Sequence, residues 1–176
     1  MLDFLVLYSS NTGNTKMVAT SVFNAIPGTA KELCDFKDFH YDREAKIYFV
    51  GFWTNRGSCD ISVLNLLSSL HGKKVALFGT CGMGNTTAYF HAVAGNVAAF
   101  IPEDCEYLGS FLCQGRMPAQ ILSKYKILKK QNPAEGTFID QMIATFSEAS
   151  THPDENDLID AQNFVGTILN RCGGAL

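Results

Sequence analysis

The feature that most constrains this chain is an alternation. Short apolar runs, LDFLVLY (2–8), KIYFVGF (46–52), KVALFG (74–79) and EYLGSFLC (106–113), the middle two nearly continuous, are separated by segments whose apolar residues recur at helical spacing. A run that is apolar on both sides leaves no face for water, as in a strand buried on both faces of a parallel sheet. Between the runs, Val18, Val22 and Ile26 share one helical face, as do Ile61, Leu64, Leu67 and Leu70, and then Phe90, Val93, Val97 and Ile101. Parallel neighbours need a crossover that packs back on the sheet, so the alternation predicts a doubly wound α/β fold. A weaker strand is expected at 29–33, and three further helices at 118–131, 134–149 and 153–171, separated by NP and HP. The last opens with HPDENDLID, which places acids where the helix dipole favours them.

Length and charge narrow the function classes. A chain of 176 residues suits one well-buried domain, expected to span 1–176. With 18% charged residues, a net charge of −3 and no basic stripe beyond KILKK near Lys126, nucleic-acid binding is not expected. No apolar stretch approaches the roughly 20 residues of a membrane span, and the N-terminus enters a strand pattern with no basic leader. The expectation is a soluble, cytoplasmic protein with no membrane partner. Six cysteines show no CxxC pair and no Cys/His spacing for zinc or iron-sulfur, so they read as reduced core thiols. The four histidines are scattered without metal-ligand spacing, and no metal is expected.

Ligands of a doubly wound sheet bind where loops leave the carboxyl ends of its strands. SSNTGNT (9–15), which follows the first strand and opens the first helix, is such a loop. Helix N-terminal N–H groups bind anions, Ser and Thr hydroxyls add donors, and Gly13 allows a tight turn, so the string reads as a phosphate cradle. It does not fit the ATP-type loop, since it has one glycine and the order Thr15-Lys16, and GxGxxG is also absent.

VLYSSNTGNT resembles the FMN-phosphate signature of flavodoxins: two apolar residues, an aromatic, any residue, Ser or Thr, two variable positions, a small residue, any residue, then Thr. Val6, Leu7, Tyr8, Ser10, Gly13 and Thr15 meet the fixed positions. The resemblance covers the first 115 or so residues well and the helical tail loosely. It implies a flavodoxin-like five-stranded parallel sheet of order 2-1-3-4-5, helices on both faces, extra C-terminal helices, and bound FMN.

The resemblance also implies the site. Ser9, Ser10, Asn11, Thr12, Gly13, Asn14 and Thr15 would hold the phosphate. Trp53, the only tryptophan, would lie against the ring, with Thr54, Asn55, Arg56 and Gly57 in the same loop; the Asn55–Gly57 stretch suits a peptide that turns its carbonyl toward flavin N5 on one-electron reduction. Thr80, Cys81, Gly82 and Gly84 would meet the pyrimidine edge, and Tyr89 is a candidate second aromatic, although the frame differs from that of better-known flavodoxins. Asp60 reads as an N-cap, and no catalytic residue stands out. GFWTNRGSCD, LFGTCGMG and FLCQG further resemble a branch from anaerobic bacteria that includes an accessory protein of bilirubin reduction.

The expected role is a one-electron carrier working between a donor reductase and an acceptor enzyme. It would be a monomer or weak dimer that docks through a rim of Trp53, Arg56, Met83 and Tyr89. Two alternatives stay open. One is a small FMN-dependent reductase or reductase subunit acting on a quinone or a tetrapyrrole such as bilirubin; the other is an FMN-free interaction module.

Overall fold

A computed structural model describes residues 1–40 and 43–173. Five parallel strands, β1 (Leu2–Tyr8), β2 (Lys31–Asp35), β3 (Ala45–Trp53), β4 (Lys74–Cys81) and β5 (Glu106–Gln114), form one sheet of order β2-β1-β3-β4-β5. The expected order and hand-over between layers are both present. The strand expected at 29–33 lies two residues later, and β4 continues through Thr80 and Cys81, which makes these strand residues and not loop residues.

The described residues form six α-helices, α1 (Asn14–Ala25), α2 (Ile61–Ser69), α3 (Thr87–Ala98), α4 (Ala119–Gln131), α5 (Gly136–Ala149) and α6 (Glu155–Arg171), of which α1, α2, α3 and α6 cover the sheet. Strand alternation divides the apolar residues into two cores. Leu5, Leu7, Val50, Phe52 and Leu77 meet α2 and α3 through Leu64, Leu67, Val93 and Val97 on one face. Phe4, Val6, Phe49 and Phe78 meet α1 and α6 through Val18, Val22, Val165 and Ile168 on the other. The continuous runs are therefore buried twice over, which is why they showed no period of two.

Local signals explain the helix ends. Asp60 Oδ1 accepts from Ser62 N at 2.9 Å, and those hydrogen bonds hold its carboxyl below the usual range. Asp154 and Asp157 form a reciprocal capping box at the start of α6. Next to it, α4 and α5 form a hairpin that packs chiefly on itself, closed by Lys129 Nζ to Asp140 Oδ1 at 2.6 Å. Ile139 and Ala149 are its fully buried residues, whereas Phe138, next to Ile139, faces solvent.

Gly51 sits in the middle of β3, where a Cβ would come within 2.2 Å of the ring of Phe78. Phe78 is fully buried and cannot swing into solvent. Gly51→Ala is therefore expected to cost about 1–3 kcal/mol by overpacking. A fall in the urea midpoint at unchanged slope would show this, and an unchanged midpoint would refute it.

Candidate functional site

The first loop ends in a left-handed turn at Gly13 (φ +87°), which serves as the N-cap of α1 without lending it a side chain. Ser10 Oγ accepts from Gly13 N at 3.1 Å and more distantly from Lys16 N at 3.4 Å, so the loop folds around its own serine. Among the described residues, no protein acceptor meets the N–H groups of Asn14 and Thr15. No acidic residue stands in the first turn either. The positive end of this helix is thus left for an anion.

Asn14 and Thr15 are buried, and both are tied to distant strands. Asn14 Nδ2 donates to Thr12 Oγ1 and to Arg116 O, each at 2.8 Å. This uses the whole donor capacity of the amide and leaves its buried Oδ1 without a partner. An orphaned acceptor at this depth is costly unless a ligand supplies a donor. Thr15 Oγ1 lies 3.0 Å from Thr80 Oγ1 at the end of β4, a buried hydroxyl pair in which either oxygen can donate.

Beside the cradle opens a cleft of about 340 Å³, within the range that takes a small organic ligand. The structure brings Asn11, Thr12, Asn14, Trp53, Thr54, Thr80, Cys81 and Gly82 together on its walls. The rest of the lining comes from the end of β5 and from α4: Gly115, Arg116, Met117, Pro118, Ile121 and Tyr125, with Met83 from the β4 loop. The rule that points to strand carboxyl ends applied equally to QGRMP after β5. Ile121 and Tyr125 are spaced i, i+4, and the Tyr125 hydroxyl donates to Met83 Sδ at 2.8 Å.

Close approach here depends on glycine. A Cβ on Gly115 would stand 2.8 Å from Asn14 Nδ2, and one on Gly82 would stand 2.3 Å from Met117 Cγ. The β5 loop can therefore fold over β4 and reach the first loop.

Other expected positions lie around the cleft and not on it. Ser9, Ser10, Gly13 and Thr15 belong to the loop behind its wall, and Asn55, Arg56, Gly57, Gly84 and Tyr89 do not line it. Asn55 and Ser58 exchange backbone hydrogen bonds at 2.9 and 3.0 Å around Arg56 (φ +51°) and Gly57 (φ +79°), the pattern of a tight hairpin turn with two positive φ values. The Gly57 carbonyl already accepts from Asn96 Nδ2 of α3 at 2.9 Å, so turning that peptide means breaking this bond. Tyr89 packs its ring against Gly84, 2.5 Å from where a Cβ would stand, and beside Phe90.

Burial sets the thiol chemistry. Cys81 is fully buried and lies 2.9 Å from Thr54 Oγ1; desolvation pushes its thiol up to about 11, and Cys59 to about 12. Both are neutral filler at physiological pH, and all six cysteines are free. One histidine does meet carboxylates, for ligand atoms of His152, Asp154 and Asp157 lie within 4.8 Å of one another. That convergence is the α6 cap: Asp157 Oδ2 accepts from Asp154 N at 2.8 Å and meets His152 Nδ1 at 2.5 Å.

Residues 5–166 match the family model described as Flavodoxin domain (Flavodoxin_3). The chain is 36% identical over 168 residues to a Clostridioides difficile (strain CD3) protein named Flavodoxin-like domain-containing protein BilS, covering 94% of this chain and 95% of that one. It is 32% identical over 192 residues to the protein of the same name from Clostridium symbiosum (strain WAL-14163), covering 98% of each. Among solved structures, the Streptococcus pneumonia TIGR4 flavodoxin aligns over 96% of this chain and 98% of its own, with TM-score 0.60 and 14% identity. This chain belongs to the flavodoxin family.

Because burial holds the Cys59, Cys81 and Cys113 thiols protonated, iodoacetamide at pH 8 is expected to leave all three unmodified in the native protein. Cys105 and Cys172, only half-buried, should label first. Peptide mass spectrometry reads the result, and early labelling of Cys81 would contradict the burial of the cleft floor.

Proposed function

We propose that this chain is an FMN-binding one-electron carrier of the flavodoxin type, passing electrons between a reductase and an acceptor redox enzyme. The observation that carries the reading is the unmet hydrogen-bonding capacity at one spot. Two free helix N–H groups, those of Asn14 and Thr15, and a buried orphan acceptor, Asn14 Oδ1, lie together at the start of α1, and Asn14 lines a cleft beyond the carboxyl ends of the strands. An anion alone satisfies the donors, while Oδ1 asks for a donor on the same ligand. A phosphate monoester carrying hydroxyls and a ring N–H answers both.

FMN, when bound, supplies the one-electron chemistry; the chain binds, orients and shields it. Ser9, Ser10, Asn11, Thr12, Gly13, Asn14 and Thr15 make up the cradle. The Thr15–Thr80 pair adapts to the anion: when Thr15 turns its proton to a phosphate oxygen, Thr80 donates to Thr15, and neither hydroxyl is left unpaired. Trp53 and the apolar residues Met117, Ile121 and Tyr125 give the ring dry walls. Gly82 offers backbone to its polar edge, and Met83, 42% exposed, belongs to the rim where a redox partner would dock.

Two measurements test this. Thr12→Ala combined with Thr15→Ala is expected to weaken FMN about 100-fold, from two lost contacts to a charged group, and riboflavin by much less. Equal losses for both flavins would remove the cradle assignment. An anaerobic reductive titration of the FMN-loaded protein, followed by absorption, is expected to resolve two separate one-electron steps. Bleaching in a single two-electron step would favour a reductase over a carrier.

A further inference from the structure

The sequence resembles a family whose cradle is neutral, yet the fold brings a cation to its edge. Arg116 is held by its backbone from two sides: its N–H donates to His152 O at 3.0 Å, and its carbonyl accepts from Asn14 Nδ2 at 2.8 Å. Neither bond involves the side chain, which runs toward the first turn of α1 and places Nη2 3.9 Å from Met17 Sδ. A thioether is a weak acceptor. The guanidinium joins no ion pair among the described residues, and Arg116 is a lining residue of the cleft with Asn11, Thr12 and Asn14, which Lys16 is not.

Two facts therefore meet at one place. A helix N-terminus with no acid in its first turn and two free N–H groups begins at Asn14, which lines the cleft, and Arg116, among the described residues the one cation of that lining, is fixed at its root and unpaired at its tip. We propose that Arg116 is the charged member of the cradle and contacts the phosphate monoester of the ligand; this rests on the FMN reading above. Hydroxyls and N–H groups satisfy phosphate oxygens without neutralising the roughly −1.5 to −2 charge of a phosphate monoester at pH 7. A guanidinium adds two parallel donors together with the missing charge. On binding it exchanges the Met17 thioether for a phosphate oxygen, at little cost. Arg116 is in this sense a specificity residue, which separates a phosphorylated flavin from its neutral parent.

The test measures FMN and riboflavin affinity of the flavin-free protein by fluorescence quenching, at about 0.02 and about 0.3 M KCl, salt levels chosen to screen an exposed contact differently. The expected result is that Arg116→Gln loses about ten-fold in FMN affinity at low salt, the lower end for a hydrogen bond to a charged group, and less than two-fold for riboflavin. Arg116→Lys should recover part of the loss, because it keeps the charge without the fork. Salt should weaken wild-type FMN binding more than that of Arg116→Gln. An FMN-to-riboflavin ratio unchanged in Arg116→Gln overturns the role of Arg116 while leaving the FMN reading intact, and equal losses for both flavins reassign the side chain to cleft packing. A wild-type chain that binds neither flavin overturns both. Inorganic phosphate, competed against FMN, gives a readout independent of the ring: it should compete less well in Arg116→Gln.

Discussion

Everything in this molecule follows from the double-sided burial of its central strands. β1, β3 and β4 have helices on both faces, and Leu5, Val6, Phe49, Phe52, Leu77 and Phe78 are sealed from water. A polar side chain in the middle of such a strand would have to be desolvated without a partner. Polarity is accordingly expelled to the ends. Among the described residues the buried polar side chains are Asn14, Thr15, Ser21, Thr80 and Gln114, and all but Ser21 stand at or just beyond the carboxyl ends of β1, β4 and β5. The site is where it is because the sheet has no other place for it.

The carboxyl ends are then fastened to one another by hydrogen bonds that span long stretches of chain. Asn14 reaches Arg116, Thr15 reaches Thr80, Thr54 reaches Cys81, and the Gly115 N–H reaches the Cys81 carbonyl. These ties join the loops that line the cleft. They also explain why glycine is needed at 82 and 115, since a Cβ at either would push the loops apart. Rigidity beneath a ligand costs the chain flexibility before binding, so less ordering remains to be done when a ligand arrives.

Much of this was legible in the sequence, because it is written in local patterns. The central strands were visible as apolar runs, α1, α2 and α3 as stripes at helical spacing, Asp60 as a cap, and the HPDEND stretch as an acidic helix start. The loop 9–15 stood out because its residues are contiguous. What stayed hidden was non-local. Nothing near Arg116 in sequence says that its carbonyl meets Asn14, 102 positions earlier. Nor does the place of Tyr89 after β4 say that its ring seats on Gly84. The convergence of His152 with Asp157 depends on the turn between α5 and α6, which spacing does not disclose.

The α4–α5 hairpin supplies Ile121 and Tyr125 to the cleft, yet among the described residues side-chain hydrogen bonds tie it to the sheet layers only through Tyr125 to Met83 and Asn85 to Glu148. Its own helices meet each other more extensively than they meet the rest of the chain. Local opening draws first on such lightly attached units, while the global stability resides in the sheet. The walls of the cleft therefore belong to different tiers of stability: the strand ends, Trp53 included, to the part that unfolds last, and Ile121 and Tyr125 to the part that opens first. Mild heat or dilute denaturant would loosen the α4 wall of the cleft before it disturbed the loops at the strand ends, ahead of any global transition.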